Sequence, residues 1–186
     1  MRRRFAFGMA VALFAAATLP PAFAYHGRTQ GVNRESAGWP VTSFALVDHH
    51  GQPLTELHLA GRWTFVLFGD TRCGARCDAA LAALAAMNRR IARADAIRTT
   101  QVLFVSLEPE RDTPELLRRH VASFDARFIG ATGPRPSLKR LMDELDVSAG
   151  GALVLIGPDA VLRSELLPPY DPMLLTAEYL RARSRR

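Results

Sequence analysis

Apolar residues along this chain fall into two kinds of run. One kind is short and unbroken or alternating, at 44–47, 63–68, 101–107, 151–156 and 161–166. Such runs predict strands, and the unbroken Trp63-Thr-Phe-Val-Leu-Phe68 suits a central strand covered on both faces. The other kind recurs at three- and four-residue spacing. Leu81, Leu84 and Ile91 share one side of 77–97, with arginines opposite, and Leu138, Leu141, Met142 and Leu145 share one side of 137–145, so both stretches predict amphipathic helices. Asp112-Thr113-Pro114-Glu115 supplies a capping side chain, an early proline and a first-turn acid for a helix to about Phe124. Asp171-Pro172 opens a last helix to about Arg183 in the same way. Asp48-His49-His50-Gly51 reads as the turn of a hairpin between 44–47 and 53–59, Arg127 to Ala131 as a short extended piece, and Gly157-Pro158-Asp159 as a second turn. The order predicts an α/β domain: a mixed central β-sheet flanked by helices, with an N-terminal β-hairpin.

The ends of the chain change this picture. Residues 1–24 have a basic start (Arg2, Arg3, Arg4), an apolar stretch over 5–19 and a small-residue exit at Ala22-Phe23-Ala24, the features of a cleaved secretory signal. The stretch is shorter than the roughly 20 residues of a spanning helix, and Pro20 and Pro21 close it, so the sequence predicts an exported, periplasmic protein that an uncleaved signal would tether to the membrane. Residues 25–40, rich in Gly, Ser, Asn and Arg, read as a flexible linker, and 41–186 as one domain. The formal charge of +6 falls to +3 without the three signal arginines, and much of the remainder is the tail Arg181, Arg183, Arg185 and Arg186. That distribution describes a solvated helix end, so nucleic acid is not an expected partner.

The chain has two cysteines, in Cys73-Gly74-Ala75-Arg76-Cys77, directly after the central strand and where a helix is due to begin. Residues four apart stack on one helix face, so one S–S bond or one small ion could join the two sulfurs. The positive helix end, with Arg72 and Arg76 beside it, favours thiolates, which serve both disulfide exchange and soft-metal binding. A bridge across so short a loop constrains the unfolded chain little, which argues for chemistry over a structural staple. In exchange, Cys73 is the expected attacking sulfur and Cys77 the resolving one.

Five landmarks occur in order: Phe44-Ala-Leu-Val-Asp-His-His-Gly51; Leu67-Phe-Gly-Asp-Thr-Arg-Cys73 with Cys77; Ser106-Leu-Glu-Pro-Glu-Arg-Asp-Thr-Pro-Glu115; Phe124-Asp-Ala-Arg-Phe-Ile-Gly-Ala-Thr-Gly133; and Leu155-Ile-Gly-Pro-Asp159. In these the chain resembles the Sco (SenC-type) family. The resemblance implies a thioredoxin-like fold, a periplasmic or membrane-tethered place, and delivery of copper to, or reduction of, the cysteines of a copper-accepting subunit of a respiratory oxidase, with a thiol reductant protein as second partner. It places Cys73 and Cys77 on the family's metal-binding and redox cysteines, and two soft thiolates favour Cu(I) over Cu(II). It also implies a histidine ligand just before the strand at 152–156, yet 145–151 reads Leu-Asp-Val-Ser-Ala-Gly-Gly, without histidine.

The other candidates read as structural. His49, His50 and His58 sit in or beside a turn, His26 lies in the linker, and His120 belongs to the helix after Asp112, packed or facing solvent. Met87 and Met142 fit core positions, and Asp112 fits a helix cap. Two rival functions use the same pair differently. A general thiol-disulfide oxidoreductase or peroxidase-like enzyme would use Cys73, and a non-catalytic binding module would keep the pair as an inert disulfide.

Overall fold

A computed structural model describes residues 34–35, 38, 40–92, 96–148 and 150–185 of the chain. The signal, and most of the linker with His26, lie outside the described residues. Eight strands form a single sheet: β1 (Arg34–Glu35), β2 (Ala45–Asp48), β3 (Pro53–Thr55), β4 (Trp63–Gly69), β5 (Thr100–Ser106), β6 (Ile129–Thr132), β7 (Leu153–Ile156) and β8 (Leu162–Leu166), in the spatial order β1-β8-β7-β4-β5-β6-β2-β3. Four helices accompany them: α1 (Ala75–Ile91), α2 (Pro114–Ala122), α3 (Arg135–Glu144) and α4 (Pro172–Ser184). This is the mixed α/β architecture that the hydrophobic pattern predicts.

The sheet is parallel at its centre and antiparallel at its flanks. β4 pairs in parallel with β5 from Trp63↔Thr100 to Gly69↔Ser106, and β5 in parallel with β6, connections that require the helical crossovers α1 and α2. β7 lies antiparallel on the other side of β4. Every residue of β4 and β5 is buried, because side chains alternate between two cores. Phe65 and Leu67 join Leu81, Leu84, Leu117 and Tyr179 from α1, α2 and α4. Val66 and Phe68 point to the other face, with Leu138 and Leu141 of α3 and with Leu46 and Leu54 of the hairpin.

Four details depart from the sequence reading. α1 ends at Ile91, short of the expected 97, because the chain must turn through Ala96–Thr99 to bring Thr100 beside Trp63; the Thr100 hydroxyl donates to the Ala96 carbonyl within that turn. The expected linker contributes Arg34–Glu35, which pair with Glu165 and Ser164 on the edge strand β8. The second arm of the hairpin is a strand only over Pro53–Thr55 and then tightens into a 3₁₀ turn at Glu56–His58. The cap of α2 is Thr113, whose hydroxyl accepts from the Leu116 amide at 3.3 Å, and not Asp112.

Candidate functional site

The parallel centre delivers two strand ends, Gly69 of β4 and Ser106 of β5, to the same edge of the sheet. The chain leaving β4 passes through Asp70, Thr71 and Arg72 to Cys73, and α1 begins two residues later. Gly74 is its N-cap with φ +69° and ψ −151°, a backbone region that side chains other than hydrogen essentially never occupy. Cys77 lies in the first turn of α1. Cys73 and Cys77 are joined as a disulfide with their Cα atoms 5.7 Å apart. Cys77 is 0% exposed, and Cys73 is half-buried, packed against the edge of the same core, so Cys73 is the more accessible residue of the pair. The two sulfurs lie side by side beside the start of α1, as the sequence leads one to expect.

Gly69 makes room for this arrangement. A Cβ there would stand 2.7 Å from Cys77 Sγ, closer than real Cβ atoms approach, and 3.2 Å from Phe104 Cε2, a tight contact.

The cysteine loop is pinned from beneath by Asp112, which is 0% exposed. Its Oδ2 accepts from the Thr71 amide at 2.8 Å and the Ser106 hydroxyl at 2.7 Å. Its Oδ1 accepts from the Thr71 hydroxyl at 2.8 Å and Arg111 Nε at 3.0 Å. Burial by itself would raise this carboxyl, but the hydrogen bonds from Ser106, Thr71 and Arg111 outweigh it and hold it below the usual carboxylate range. Arg111 also reaches Asp70 Oδ1 at 2.6 Å, and Asp70 Oδ1 accepts the Arg72 amide at 2.8 Å. Asp112 therefore ties Thr71, two residues past the end of β4, to Ser106 at the end of β5 and to the turn before α2, and Arg111 links Asp70 into the same node. The reading of Asp112 as a helix cap is corrected here. Its amide bonds the Glu108 carbonyl and its side chain turns inward, which leaves capping to Thr113. The motif Pro109-Glu110-Arg111-Asp112-Thr113-Pro114-Glu115 was the sequence signal for this node, but local pattern pointed only to a helix start.

The stretch before β7 does reach the mouth. A Cβ at Gly150 would lie 3.9 Å from Gly69 Cα and 3.8 Å from Leu107 Cδ1. No histidine occurs there, and the stem of Arg76 lies over Gly151, where a Cβ would meet Arg76 Cδ at 2.5 Å. Tyr170 closes this side by donating its hydroxyl to the Gly151 carbonyl at 2.7 Å. Burial raises the Tyr170 phenol above its ordinary value, against the nearby charge of Arg76.

Among the described residues, no histidine is grouped with the two sulfurs. His49 Nδ1 accepts from the Gly130 amide at 2.8 Å, so in the neutral ring the proton sits on Nε2, which faces His50 Nε2 at 2.9 Å. Both facing nitrogens are spent on one hydrogen bond, and the pair locks the hairpin to β6 in place of presenting lone pairs to a metal. Burial first, and His50 second, hold His49 below its ordinary pKa. His58 Nδ1 accepts from the Thr55 amide at 3.1 Å and closes its own 3₁₀ turn. His120 packs between Phe104 and Phe124, its Nε2 buried without a hydrogen-bond partner, and burial lowers its pKa against the pull of Asp78, Asp112 and Asp70. Met87 is core and Met142 half-buried on α3, as expected. Among the described residues, no group of three or more His, Cys, Asp or Glu side chains is arranged to hold a metal ion.

Sequence comparison matches residues 34–152 to the SCO1/SenC family, a span containing β4, both cysteines and the Asp112 node. The chain belongs to the SCO1/SenC family. Among curated relatives, one from Stutzerimonas stutzeri, named for copper binding, is 31% identical over 69% of this chain and 70% of its own length. The mouse mitochondrial SCO2 homolog is 31% identical over 57% of this chain, which spans only 41% of that relative. Among solved structures, Arabidopsis thaliana ScoI with copper bound superposes with a TM-score of 0.72 at 25% identity, covering 78% of this chain and 98% of the other. A more distant Sco-family structure, BsSco, at 15% identity and a TM-score of 0.67, shares the fold alone. The fold is thioredoxin-like, as these neighbours are.

Proposed function

We propose that this SCO1/SenC protein is exported and assembles the copper site of a respiratory oxidase, cycling its Cys73–Cys77 pair between the disulfide and a dithiol. The observation that carries this reading is the asymmetry of the pair: a partly exposed Cys73 bonded to a buried Cys77, on a loop that a buried carboxylate holds in place. In the dithiol form, Cys73 as thiolate attacks one sulfur of a target disulfide. A mixed disulfide forms and the first target thiolate leaves. Cys77, deprotonated, then attacks Cys73 Sγ, the second target thiolate leaves, and the bonded pair is regenerated. Two electrons pass to the target, and a thiol reductant protein must return two to begin again.

The same dithiol is a soft ligand pair for Cu(I), and copper in the named relative and in the Arabidopsis neighbour favours this second use. The family's histidine is missing from 145–151, and Arg76 covers Gly151. Two thiolates satisfy Cu(I) better than Cu(II), so loss of an imidazole tilts the protein toward Cu(I) and toward reductase chemistry.

The test has two arms on the full chain. Cys77→Ser should trap a mixed disulfide with a copper-subunit peptide through Cys73, whereas Cys73→Ser should trap none. Anaerobic Cu(I) titration of the reduced chain against a competing chelator should give uptake that the double serine variant loses. Trapping through Cys77 alone would reverse the assigned roles. Peroxide consumption dependent on Cys73 would move the protein to the peroxidase-like class. A pair that neither exchanges nor takes up copper would make it an inert module.

A further inference from the structure

We propose that the outer face of α4 is a docking surface for an anionic lipid bilayer, which lays the protein down with its cysteine mouth close to the membrane. This goes beyond the proposed function and stands whether the pair carries copper or electrons.

Isolated apolar side chains on a surface need no explanation, but a cluster does. Five large apolar residues are exposed among the described residues, and three of them belong to α4: Met173 at 62%, Leu174 at 43% and Leu180 at 54%. Met173, Ala177 and Leu180 follow one another at four and three residues, so they share one line along the helix. Leu174 and Arg181 form the adjacent line, seven residues apart, with Arg185 one turn beyond. The opposite side of α4 is also apolar and is used, since Leu175 and Tyr179 pack into the core.

The charges say what covers the free face. Glu178 is the one acid of α4, and it is buried and bonded to Arg181 at 3.2 Å. After it the sequence holds Arg181, Arg183, Arg185 and Arg186 and no acid. A face of Met, Leu and Ala continued by arginines, whose uncharged polar side chains are Thr176 and Ser184 with their hydroxyls donated to the helix's own Pro172 and Arg181 carbonyls, offers few hydrogen-bonding groups to fix a specific protein partner. The exposed Met173, Leu174 and Leu180 precede the arginines along the helix, so the apolar side chains can enter the headgroup boundary while the cations at the end of α4 meet anionic lipid. Location agrees. α4 starts two residues after Tyr170, which is bonded to Gly151 at the cysteine mouth. The β1 strand pairs with β8, the strand that leads toward α4, at the same edge of the sheet.

The test reads one position, so that any tether formed by 5–19 does not confound it. Leu180→Trp, made in the full chain, introduces an indole at an exposed site, and the parent chain supplies the background of Trp39 and Trp63. With phosphatidylcholine vesicles containing phosphatidylglycerol and bromine-labelled acyl chains, the added fluorescence should be roughly halved by contact with the tails. Arg181→Glu with Arg185→Glu, or vesicles of phosphatidylcholine alone, should abolish most of that quenching, as should high salt. Absence of added quenching in the anionic vesicles would overturn the proposal, as would equal quenching in both kinds of vesicle. A concentration-dependent blue shift of the added emission without vesicles would assign the face to a second copy of the chain and overturn it likewise.

Discussion

The cysteine mouth and the His49/His50 turn each bring two metal-capable side chains together, and they lie at opposite ends of the sheet. The first follows the end of β4. The second follows β2, which runs antiparallel to β6 and so places its turn at the start of the parallel strands. At the turn, a backbone amide fixes the tautomer of His49, and both facing nitrogens are consumed in one hydrogen bond. At the mouth, Asp112 takes up the polar groups of the loop, and the two sulfurs are bonded to each other on residues of which one, Cys73, is half-buried and the other, Cys77, fully buried. Proximity of donor atoms is thus not enough. What separates the two pairs is that the neighbours of the histidines use up their donors, whereas those of the cysteines merely hold the loop still.

The sharpest way to break this contrast is to remove each pair. Cys73→Ser with Cys77→Ser should abolish Cu(I) uptake and mixed-disulfide formation, while His49→Ala with His50→Ala should leave both intact, measured by chelator competition and by trapping. A histidine variant that lost copper uptake would collapse the distinction.

Next in size is the support beneath the mouth. Asp112→Ala strips the partners from the Thr71 amide and the Ser106 hydroxyl and leaves Arg111 without one of its two carboxylates. The cost should be about 3 kcal/mol in urea unfolding, with Cys73 alkylation in the reduced chain changed more than for any surface variant. Gly69→Ala drives a methyl group into Cys77 Sγ and should cost roughly 1–3 kcal/mol. That loss should be read in both oxidised and reduced chain, because Phe104 crowds the same spot.

The smallest effect is that of pH. His49 and His120 are both held below 6.5, mainly by burial, so the fold favours their neutral forms and the unfolded chain takes up protons first. Their contribution is whole above the unfolded value near 6.5 and drains away as the pH falls through and below it. Urea midpoints at neutral and mildly acidic pH should show that loss, and His120→Phe should flatten it. Asp112 and Asp125, both lowered, add a second loss as the pH falls below their ordinary value of 3.8.

Much of the fold was legible because its signals are local. The unbroken run at 63–68 could only be covered on both faces, and the spacing of Leu138, Leu141 and Leu145 could only be a helix face. Thr113 and Asp112 show where local reading fails: adjacent residues both suited to capping, of which the fold used one for the cap and the other 41 positions away, on Thr71. Arg34 and Glu35 looked like linker because a two-residue strand has no periodicity to detect.

By itself the chain determined which segments are strands and helices and that its two sulfurs come together where β4 gives way to a helix, since both follow from spacings of two to four residues; Cys73 itself stands just ahead of α1 and not on its face. Tertiary structure alone decided that Asp112 anchors the cysteine loop, that Gly130 disarms His49 across 81 residues, and that Arg76 lies over Gly151. Those choices depend on which distant donor reaches a buried acceptor first, and nothing in the local order of residues encodes that.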